Sequence, residues 1–386
     1  RLAKKLNVPV LLWGPRDECP DENGMRLRDS QCGLFATGKV LRRFGIPFTY
    51  LKNCNLEDEC FAEGIDRFLR VCNVVKAFRN TRVLQISTRP FDFWSTMCNE
   101  GELLEKFGIQ LSPIPMPELT QAMKDVKENS PEEIKEVTDY CREKMCIKVT
   151  PEQLDNVAAL KIAMTRLGKK YGCNCGAIQC WNALQDEIGI MPCAANALCN
   201  DEGFPIACET DIHGTITSVL VEAAAMGETR SFFADWTVRH PYNDNAELLQ
   251  HCGPWPISIA KEKPTIDTPV AFDCSGSLMA QAKDGEHISL VRFDGDNGEY
   301  SLLLGNAKTV DGPYTKGTYM WVEVENLDRL EDKLVQGPYI HHCVGVHQDV
   351  VPVLYEACKY IGVTPDLYDP IEEKVKAIIR GEKVEK

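Results

Sequence analysis

Long apolar runs are missing from this sequence of 386 residues. None of its hydrophobic segments approaches the roughly 20 residues that a membrane-spanning helix needs, and we recognise no secretory apolar segment at its start. Basic residues are too few to balance the acidic ones, so the net charge is −14. An acidic surface repels nucleic acid phosphates and anionic lipids, which argues against nucleic acid or a membrane as a partner.

The chain holds 18 cysteines, but it is much longer than a typical disulfide-rich protein. Disulfide-dense proteins are usually small and secreted, whereas this chain is long enough for two or three domains. We therefore expect reduced cysteines and a cytoplasmic location. Six cysteines fall within residues 173–208. A cysteine-ligated metal site stays open as an alternative, although the spacing matches neither a CxxC pair nor a ferredoxin pattern.

A glycine-rich nucleotide-binding motif is absent as well, since no GxGxxG follows the first apolar segment. Residues 8–115 alternate between short apolar segments and helical patterns, which predicts a parallel sheet covered by helices. From about residue 255, short segments such as 269–273 are separated by Gly- and Asp-rich turns, which predicts an antiparallel sheet or small barrel. We expect an α/β parallel-sheet, Rossmann-like domain over residues 1–215. A β-rich, barrel-like C-terminal domain with terminal helices should follow over 216–386.

Two acidic residues follow short apolar segments in the middle of the chain. Glu209 ends the segment 204–208, a helical pattern follows at once, and Asp235 ends the segment 231–234. If the two strands are parallel neighbours, about 5 Å apart, their carboxylates converge on one cation at the carboxyl edge of the sheet, where α/β proteins place their sites. The alternative is that Glu209 or Asp211 only caps the following helix.

Three of the seven histidines lie close together near the C terminus, namely His341, His342 and His347. Imidazole binds manganese, zinc, iron and cobalt, so this cluster is a second candidate metal-binding segment. Neighbouring residues of a strand face opposite sides, so His341 and His342 cannot both face one site unless the strand has ended there. His251, in a rigid loop that contains glycine and prolines, is a further candidate. The alternative for the adjacent pair is two partly exposed histidines at a strand end.

These segments resemble the L-fucose and L-arabinose isomerase family. Residues 208–214, CETDIHG, and the FADW segment around Asp235 look like the metal-binding stretch of L-fucose isomerases. The His341–His342 pair looks like the end of L-arabinose isomerases. The resemblance is good from about residue 170 to 362 and is weak, but compatible in fold, over residues 1–150. It implies a metal-dependent aldose–ketose isomerase that acts on a pentose or deoxyhexose through a cis-enediol. The cofactor would be Mn²⁺ or another divalent cation.

The resemblance also implies roles for individual residues. Glu209 and Asp235 would bind the metal and transfer the proton. His342 would be the third ligand, so that His341 would face away from the metal. Further candidates for binding the metal or the substrate are His251, His341 and His347. Candidates for binding the substrate alone are Gln179 and Trp236.

The same resemblance implies a homo-oligomer, either a trimer or a hexamer. Fucose isomerases carry an extra N-terminal α/β domain that builds part of the substrate pocket, and we recognise no counterpart of it in this sequence. The chain begins at Arg1, and residues 1–7 resemble the end of a helix, so we expect a truncated chain or a naturally short subclass. In both cases the site would be open unless another subunit covers it. A catalytically silent sugar-binding protein of the same fold is the alternative function.

Overall fold

The computed structural model describes residues 2–269 and 273–384. The expected strand over 269–273 therefore lies partly outside the described residues. In the first part of the chain the helices and strands are α1 (Leu2–Leu6), β1 (Leu11–Leu12), α2 (Ser30–Arg43), β2 (Thr49–Tyr50), α3 (Glu59–Arg79), β3 (Arg82–Ile86), α4 (Glu100–Glu102), β4 (Gln110–Ile114), α5 (Met116–Asn129), α6 (Pro131–Lys144) and β5 (Cys146–Ile147).

The middle of the chain is mainly helical and leads into the barrel strands. Its elements are α7 (Pro151–Tyr171), β6 (Cys175–Ile178), α8 (Ala183–Ile188), α9 (Cys193–Asp201), β7 (Ile206–Ala207) and α10 (Ile212–Ala224). The remaining elements are β8 (Phe232–Arg239), β9 (Ala246–His251), β10 (Thr265–Asp267), β11 (Ser277–Gln281), β12 (Ile288–Asp296), β13 (Glu299–Val310), β14 (Thr318–Glu323), α11 (Leu327–Gln336), β15 (His342–Val346), α12 (Val351–Ile361), β16 (Thr364–Leu367) and α13 (Glu372–Ile379).

Two parallel sheets form the α/β part of the molecule. One pairs β1 with β2, and the other has the order β4-β3-β6-β7. Both faces of the larger sheet are covered by helices, as the mostly apolar sequence of β3 requires. Val83 packs on one face with α3 and α10, whereas Leu84 packs on the other face with α5 and α7.

Six strands of the C-terminal part close into an antiparallel barrel. Their order is β13-β12-β15-β8-β9-β14, and β14 pairs again with β13. The prediction of a parallel-sheet α/β region followed by a β-rich barrel is therefore confirmed. Along β8, Phe232, Ala234 and Trp236 pack into one hydrophobic cluster, whereas Phe233 packs into another together with α10. Asp235 shares the face of Phe233, because alternate residues of a strand face the same side.

Helix α10 joins the sheet to the barrel. It packs against β6 of the sheet and against β12 and β15 of the barrel. Asp211 caps its N terminus by accepting a hydrogen bond from the Gly214 N–H at 2.9 Å. The residues just before α10 therefore lie where the sheet meets the barrel. Among the described residues, no helix has the length and apolar character that crossing a membrane requires.

Candidate metal centre

The two predicted acidic ligands belong to different sheets. Glu209 follows β7 at the carboxyl edge of the four-stranded sheet, whereas Asp235 lies within β8 of the barrel. The expectation that the two acids end neighbouring parallel strands is wrong, because β8 pairs antiparallel with β15 and β9 and not with β7. The acids instead approach each other across the junction that α10 forms between the sheet and the barrel.

Two imidazole rings face both carboxylates. His342 lies opposite Asp235 in the register of β15 and β8, and its Nε2 is 3.5 Å from Asp235 Oδ1 and 3.8 Å from Glu209 Oε2. His251, at the end of β9, places its Nε2 3.4 Å from Glu209 Oε2 and 3.9 Å from Asp235 Oδ1. The Asp235 side chain is 27% exposed, whereas the other three residues are buried. The four side chains therefore share one site, with Asp235 as its most accessible member.

Two carboxylate oxygens of this site make no hydrogen bond within the part of the chain that the structure describes. They are Glu209 Oε2 and Asp235 Oδ1, and both atoms are buried. A buried charged oxygen without a hydrogen bond is unfavourable, because it loses its hydration without compensation. Both oxygens face imidazole nitrogens, so a cation would meet two hard oxygen donors and at least one nitrogen. That donor set fits Mn²⁺ and related divalent ions.

The tautomer of His342 is fixed by a carboxylate behind the ring. His342 Nδ1 is 2.8 Å from Asp211 Oδ2, and an ionised carboxylate can only accept a hydrogen bond. The proton of a neutral His342 ring is therefore on Nδ1, and the lone pair on Nε2 points toward Glu209 and Asp235. This carboxylate–histidine arrangement is the one that orients histidine ligands in metal sites.

Asp211 is itself held by a buried chain of charges. The Arg292 guanidinium donates two hydrogen bonds to the Asp211 carboxylate, and Arg292 Nη2 lies 2.8 Å from Asp294 Oδ2. His213 Nδ1 in turn lies 2.9 Å from Asp294 Oδ1. Burial raises the pKa of the Asp211 carboxyl, but Arg292 and then His342 outweigh burial and hold that pKa well below its usual range. Asp211 therefore stays ionised and keeps the Nδ1 proton of His342 in place.

His251 differs from His342 in its tautomer. The Cys252 N–H donates to His251 Nδ1 at 2.9 Å, so the lone pair is on Nδ1 and the proton is on Nε2. Burial lowers the pKa of His251, but the charges of Asp235 and Glu209 outweigh burial and raise it to about 10. A proton on Nδ1 as well would place the Nδ1–H of His251 and the N–H of Cys252 in repulsive contact. We therefore infer that the two carboxylates favour a proton on Nε2 of His251, the nitrogen that faces them.

The electrostatic environment keeps Glu209 ionised. Burial raises the pKa of its carboxyl, but the charges and hydrogen bonds around it, His251 first, outweigh burial and lower the pKa to about 2. Its backbone is unusual, because Glu209 and the following Thr210 both have φ of +51°. Such left-handed conformations of non-glycine residues cost roughly 1–3 kcal/mol each and often occur at functional sites.

His341 lies beside the site and not on the opposite face of a strand. Strand β15 begins at His342, so the alternation of side chains does not extend to His341, and the expectation that it faces away is wrong. The rings of His341 and His342 are 4.3 Å apart. Ligand atoms of Asp235, His341 and His342 lie within 4.8 Å of one another. The exposed His341 ring makes no hydrogen bond in the described structure that would orient it.

The other predicted residues have different surroundings. His347 Nε2 is 2.9 Å from the Lys283 carbonyl oxygen, and its ring contacts Phe232. The structure therefore does not bring His347 together with the two acids. Gln179 Oε1 accepts a hydrogen bond from the Ser87 hydroxyl at 2.7 Å. Trp236 is buried in the cluster inside the barrel.

All 18 cysteines are free thiols, which fits the expectation of reduced cysteines. Among the residues that the structure describes, two groups could offer sulfur ligands to a metal. One consists of Cys54, Asp58 and Cys60, and the other of Cys180, Cys208 and Glu209, with ligand atoms within 4.8 Å of one another in each group. The second group shares Glu209 with the site described above.

The comparisons with known proteins can be set beside this geometry. Residues 1–79 match the family model "Fucose/sulfoquinovose isomerase, N-terminal domain". The chain is 25% identical to a sulfoquinovose isomerase of Priestia aryabhattai over 375 residues, which are 95% of this chain and 82% of that relative. It is 24% identical to a sulfoquinovose isomerase of Alkalicoccus urumqiensis over 357 residues, which are 91% of this chain and 79% of that relative. The chain is therefore similar, at low identity, to sulfoquinovose isomerases over most of its length.

This relationship confirms the resemblance to fucose isomerases and corrects one expectation. The sequence was expected to hold no counterpart of the family's N-terminal domain, but residues 1–79 match the model of that domain. The similarity to the Priestia aryabhattai relative covers 95% of the chain, so it includes the N-terminal part where the resemblance in sequence motifs is weak. The motifs that carry the sequence resemblance all surround the site, which explains why the N-terminal segment is hard to recognise by them.

Several residues around the site cannot be identified from the sequence alone. Asp211 is visible only as a possible helix cap, because its second role depends on His342, which is 131 positions away. Arg292 and Asp294 lie in a strand pattern with no motif. A buried Arg between two acids is recognisable only when the strand register is known.

Proposed function

We propose that this chain is a metal-dependent aldose–ketose isomerase in which Glu209, Asp235 and His342 hold the cation. The observation that carries the proposal is the pair of buried carboxylate oxygens without hydrogen bonds, Asp235 Oδ1 and Glu209 Oε2, which lie 3.5 and 3.8 Å from His342 Nε2. His251 would donate its Nε2 proton to one of these carboxylates or to a substrate oxygen. Among the candidate histidines, His342 is the one whose partner leaves Nε2 free to bind a metal.

The residue types suit the interconversion of an aldose and a ketose. The reaction moves the C2 proton to C1 and the O2 hydroxyl proton to O1, through a cis-enediol. A divalent cation bound here would supply positive charge that stabilises the negative charge developing on the substrate oxygens. A carboxylate of the site, Glu209 or Asp235, accepts the C2 proton and returns it to C1. The exposed side of Asp235 gives a sugar access to this pair.

For the substrate, we propose a sugar from a small set. The sequence resemblance suggests a pentose or deoxyhexose, and two relatives that match 95% and 91% of this chain are named sulfoquinovose isomerases. We therefore place sulfoquinovose beside L-fucose and L-arabinose as candidates.

The test is a panel of these sugars followed by NMR, with the protein first stripped by a chelator and then supplied with Mn²⁺. We expect one or more sugars to convert to the ketose only after Mn²⁺ is added, and no conversion by Asp235→Asn. Sugar binding without conversion would favour the silent sugar-binding alternative. Metal analysis of the purified chain before the chelator step would favour the cysteine-ligated alternative if it found zinc or iron in place of manganese.

We also propose that the active form is a homo-oligomer, a trimer or a hexamer, with a neighbouring subunit over the site. The loop after β3 exposes Phe91, Trp94 and Met97 by 82%, 64% and 57%. Phe93 of the same loop packs 5.3 Å from Trp181, which donates a hydrogen bond to Glu209. An exposed apolar patch beside a site is typical of an interaction surface.

Activity per chain, measured with light scattering over a dilution series, tests this assembly. We expect activity to fall when the oligomer dissociates and before the chain unfolds. Trp94→Ser should dissociate at a higher concentration than the wild type, whereas Tyr314→Ser, a control at another exposed aromatic residue, should not. A monomer with full turnover at every dilution would show that one chain closes its own site.

A further inference from the structure

The Glu209 carboxylate accepts hydrogen bonds from two side chains that are not themselves proposed metal ligands. Its Oε1 accepts a hydrogen bond from the Cys180 thiol at 3.2 Å and another from the Trp181 indole N–H at 3.1 Å. Cys180 and Trp181 follow β6, the strand beside β7. Both donors therefore approach from the parallel sheet. Oε2, on the other side, is left to face His251 and His342.

Cys180 also supports the left-handed backbone at Glu209. The Glu209 N–H donates to Cys180 Sγ at 3.3 Å, so one sulfur contacts both the main chain and the carboxylate of the same residue. The next residue, Thr210, is left-handed as well, and its N–H donates to the Ile178 carbonyl at 3.0 Å. The conformation that points Glu209 into the site is thus held by the residues that follow and end β6.

We propose that Cys180 and Trp181 are positioning residues. Their hydrogen bonds fix Oε1 of Glu209, so that only Oε2 is available to bind the metal. The inference rests on the proposed function, since it requires Glu209 to bind a divalent cation. Without these donors the carboxylate can rotate, because the terminal torsion of a Glu side chain has broad minima. Removal of the partners that orient metal ligands typically lowers metal affinity 10–100-fold.

A purely structural role for Cys180 is the alternative. Buried free cysteines usually act as small apolar side chains, and Cys175 on β6 provides a matched example, because it is also fully buried. Its thiol donates to the Arg82 carbonyl at 3.5 Å and contacts no candidate ligand. Cys175→Ala therefore removes a sulfur of equal burial from the same region without touching Glu209.

The experiment is a Mn²⁺ titration of the full chain, with free Mn²⁺ measured by electron paramagnetic resonance. We expect the Kd for Mn²⁺ to rise about 10-fold or more in Cys180→Ala and in Trp181→Phe. Trp181→Phe keeps an aromatic ring at this position and removes the N–H donor together with part of the ring. Cys180→Ser should stay within about threefold of the wild type, because a hydroxyl both donates and accepts. Cys175→Ala should bind as the wild type does.

The outcomes separate the two proposals. Wild-type affinity for Mn²⁺ in both Cys180→Ala and Trp181→Phe, or equal losses in Cys180→Ala and Cys175→Ala, would overturn the positioning role alone. A wild-type chain that binds no Mn²⁺, or a Glu209→Gln variant that binds it as the wild type does, would overturn the proposed function and this inference with it. Urea unfolding of each variant shows whether the affinity is measured on folded protein.

Discussion

The substitution Asp211→Asn should damage both the fold and the metal site. Asp211 is fully buried, accepts two hydrogen bonds from Arg292 and lies 2.8 Å from His342 Nδ1. Loss of one partner of a buried ion pair costs about 3–5 kcal/mol, because the other charge is left uncompensated. Arg292 keeps Asp294 at 2.8 Å, so we expect the lower end of this range, about 3 kcal/mol.

The same substitution should change the tautomer of His342. An Asn amide can present an N–H group to Nδ1, and the ring proton then moves to Nε2, which can no longer bind a cation. In the serine proteases, an Asp-to-Asn change behind a catalytic histidine leaves the geometry intact and lowers kcat about 10⁴-fold through this effect. Here we expect Mn²⁺ affinity to fall at least about 10–100-fold, together with turnover.

A matched variant separates stability from metal binding. Asp294→Asn also removes a charge partner of Arg292, but Asp294 does not contact His342. We expect urea unfolding to show a loss of stability in both variants, and a Mn²⁺ titration to show a loss of affinity in Asp211→Asn alone. If Asp211→Asn unfolds at the wild-type urea concentration and binds Mn²⁺ with wild-type affinity, the role assigned to this carboxylate is wrong.

Three further outcomes are expected. Glu209→Gln and Asp235→Asn should each lower turnover at least about 10²–10⁴-fold while circular dichroism shows a folded chain, and near-normal activity in either would remove that residue from the chemistry. His342→Ala should lose Mn²⁺ and His341→Ala should largely keep it, because only the former ring is oriented by Asp211; calorimetry checks this, and the reverse result would shift the ligand by one position. The metal-free protein should lose stability in urea as the pH falls from about 4 toward 2. Burial raises the pKa of Glu209 and Asp211, but the charges around them outweigh it and lower both values in the folded state, Glu209 to about 2. Their contribution is therefore complete above the unfolded values near 4 and is lost below them. A stability that does not change between pH 5 and pH 2 would contradict these shifts.

The general architecture is predictable because it depends on local periodicity. The alternation over residues 8–115 gives the parallel sheet, and the short segments after residue 255 give the barrel. The path of the chain between them is not predictable in this way. An apolar segment such as 231–234 has the same pattern in either sheet, and its partners β15 and β9 are determined by distant packing.

Some residues of the candidate site are likewise predictable from the sequence, and others are not. Glu209, Asp235 and His342 stand out in the sequence because each belongs to a short motif, and the structure brings these three together with His251. Their role in metal binding stays a prediction. Arg292 and Cys180 have no such motif. Arg292 donates to Asp211, which lies 81 positions earlier, and Cys180 donates to Glu209, which lies 29 positions later. No local sequence pattern encodes hydrogen bonds over such separations.

The most direct test of the metal centre is an X-ray crystal structure of the Mn²⁺-soaked protein, with anomalous scattering measured at the manganese edge. We expect a single strong peak within about 2.0–2.3 Å of Glu209 Oε2, of an Asp235 carboxylate oxygen and of His342 Nε2. Glu209 Oε1 should still accept the hydrogen bonds of Cys180 and Trp181. A peak at Cys54, Asp58 and Cys60 instead, or no peak between the two carboxylates at a saturating Mn²⁺ concentration, would contradict the proposed metal centre.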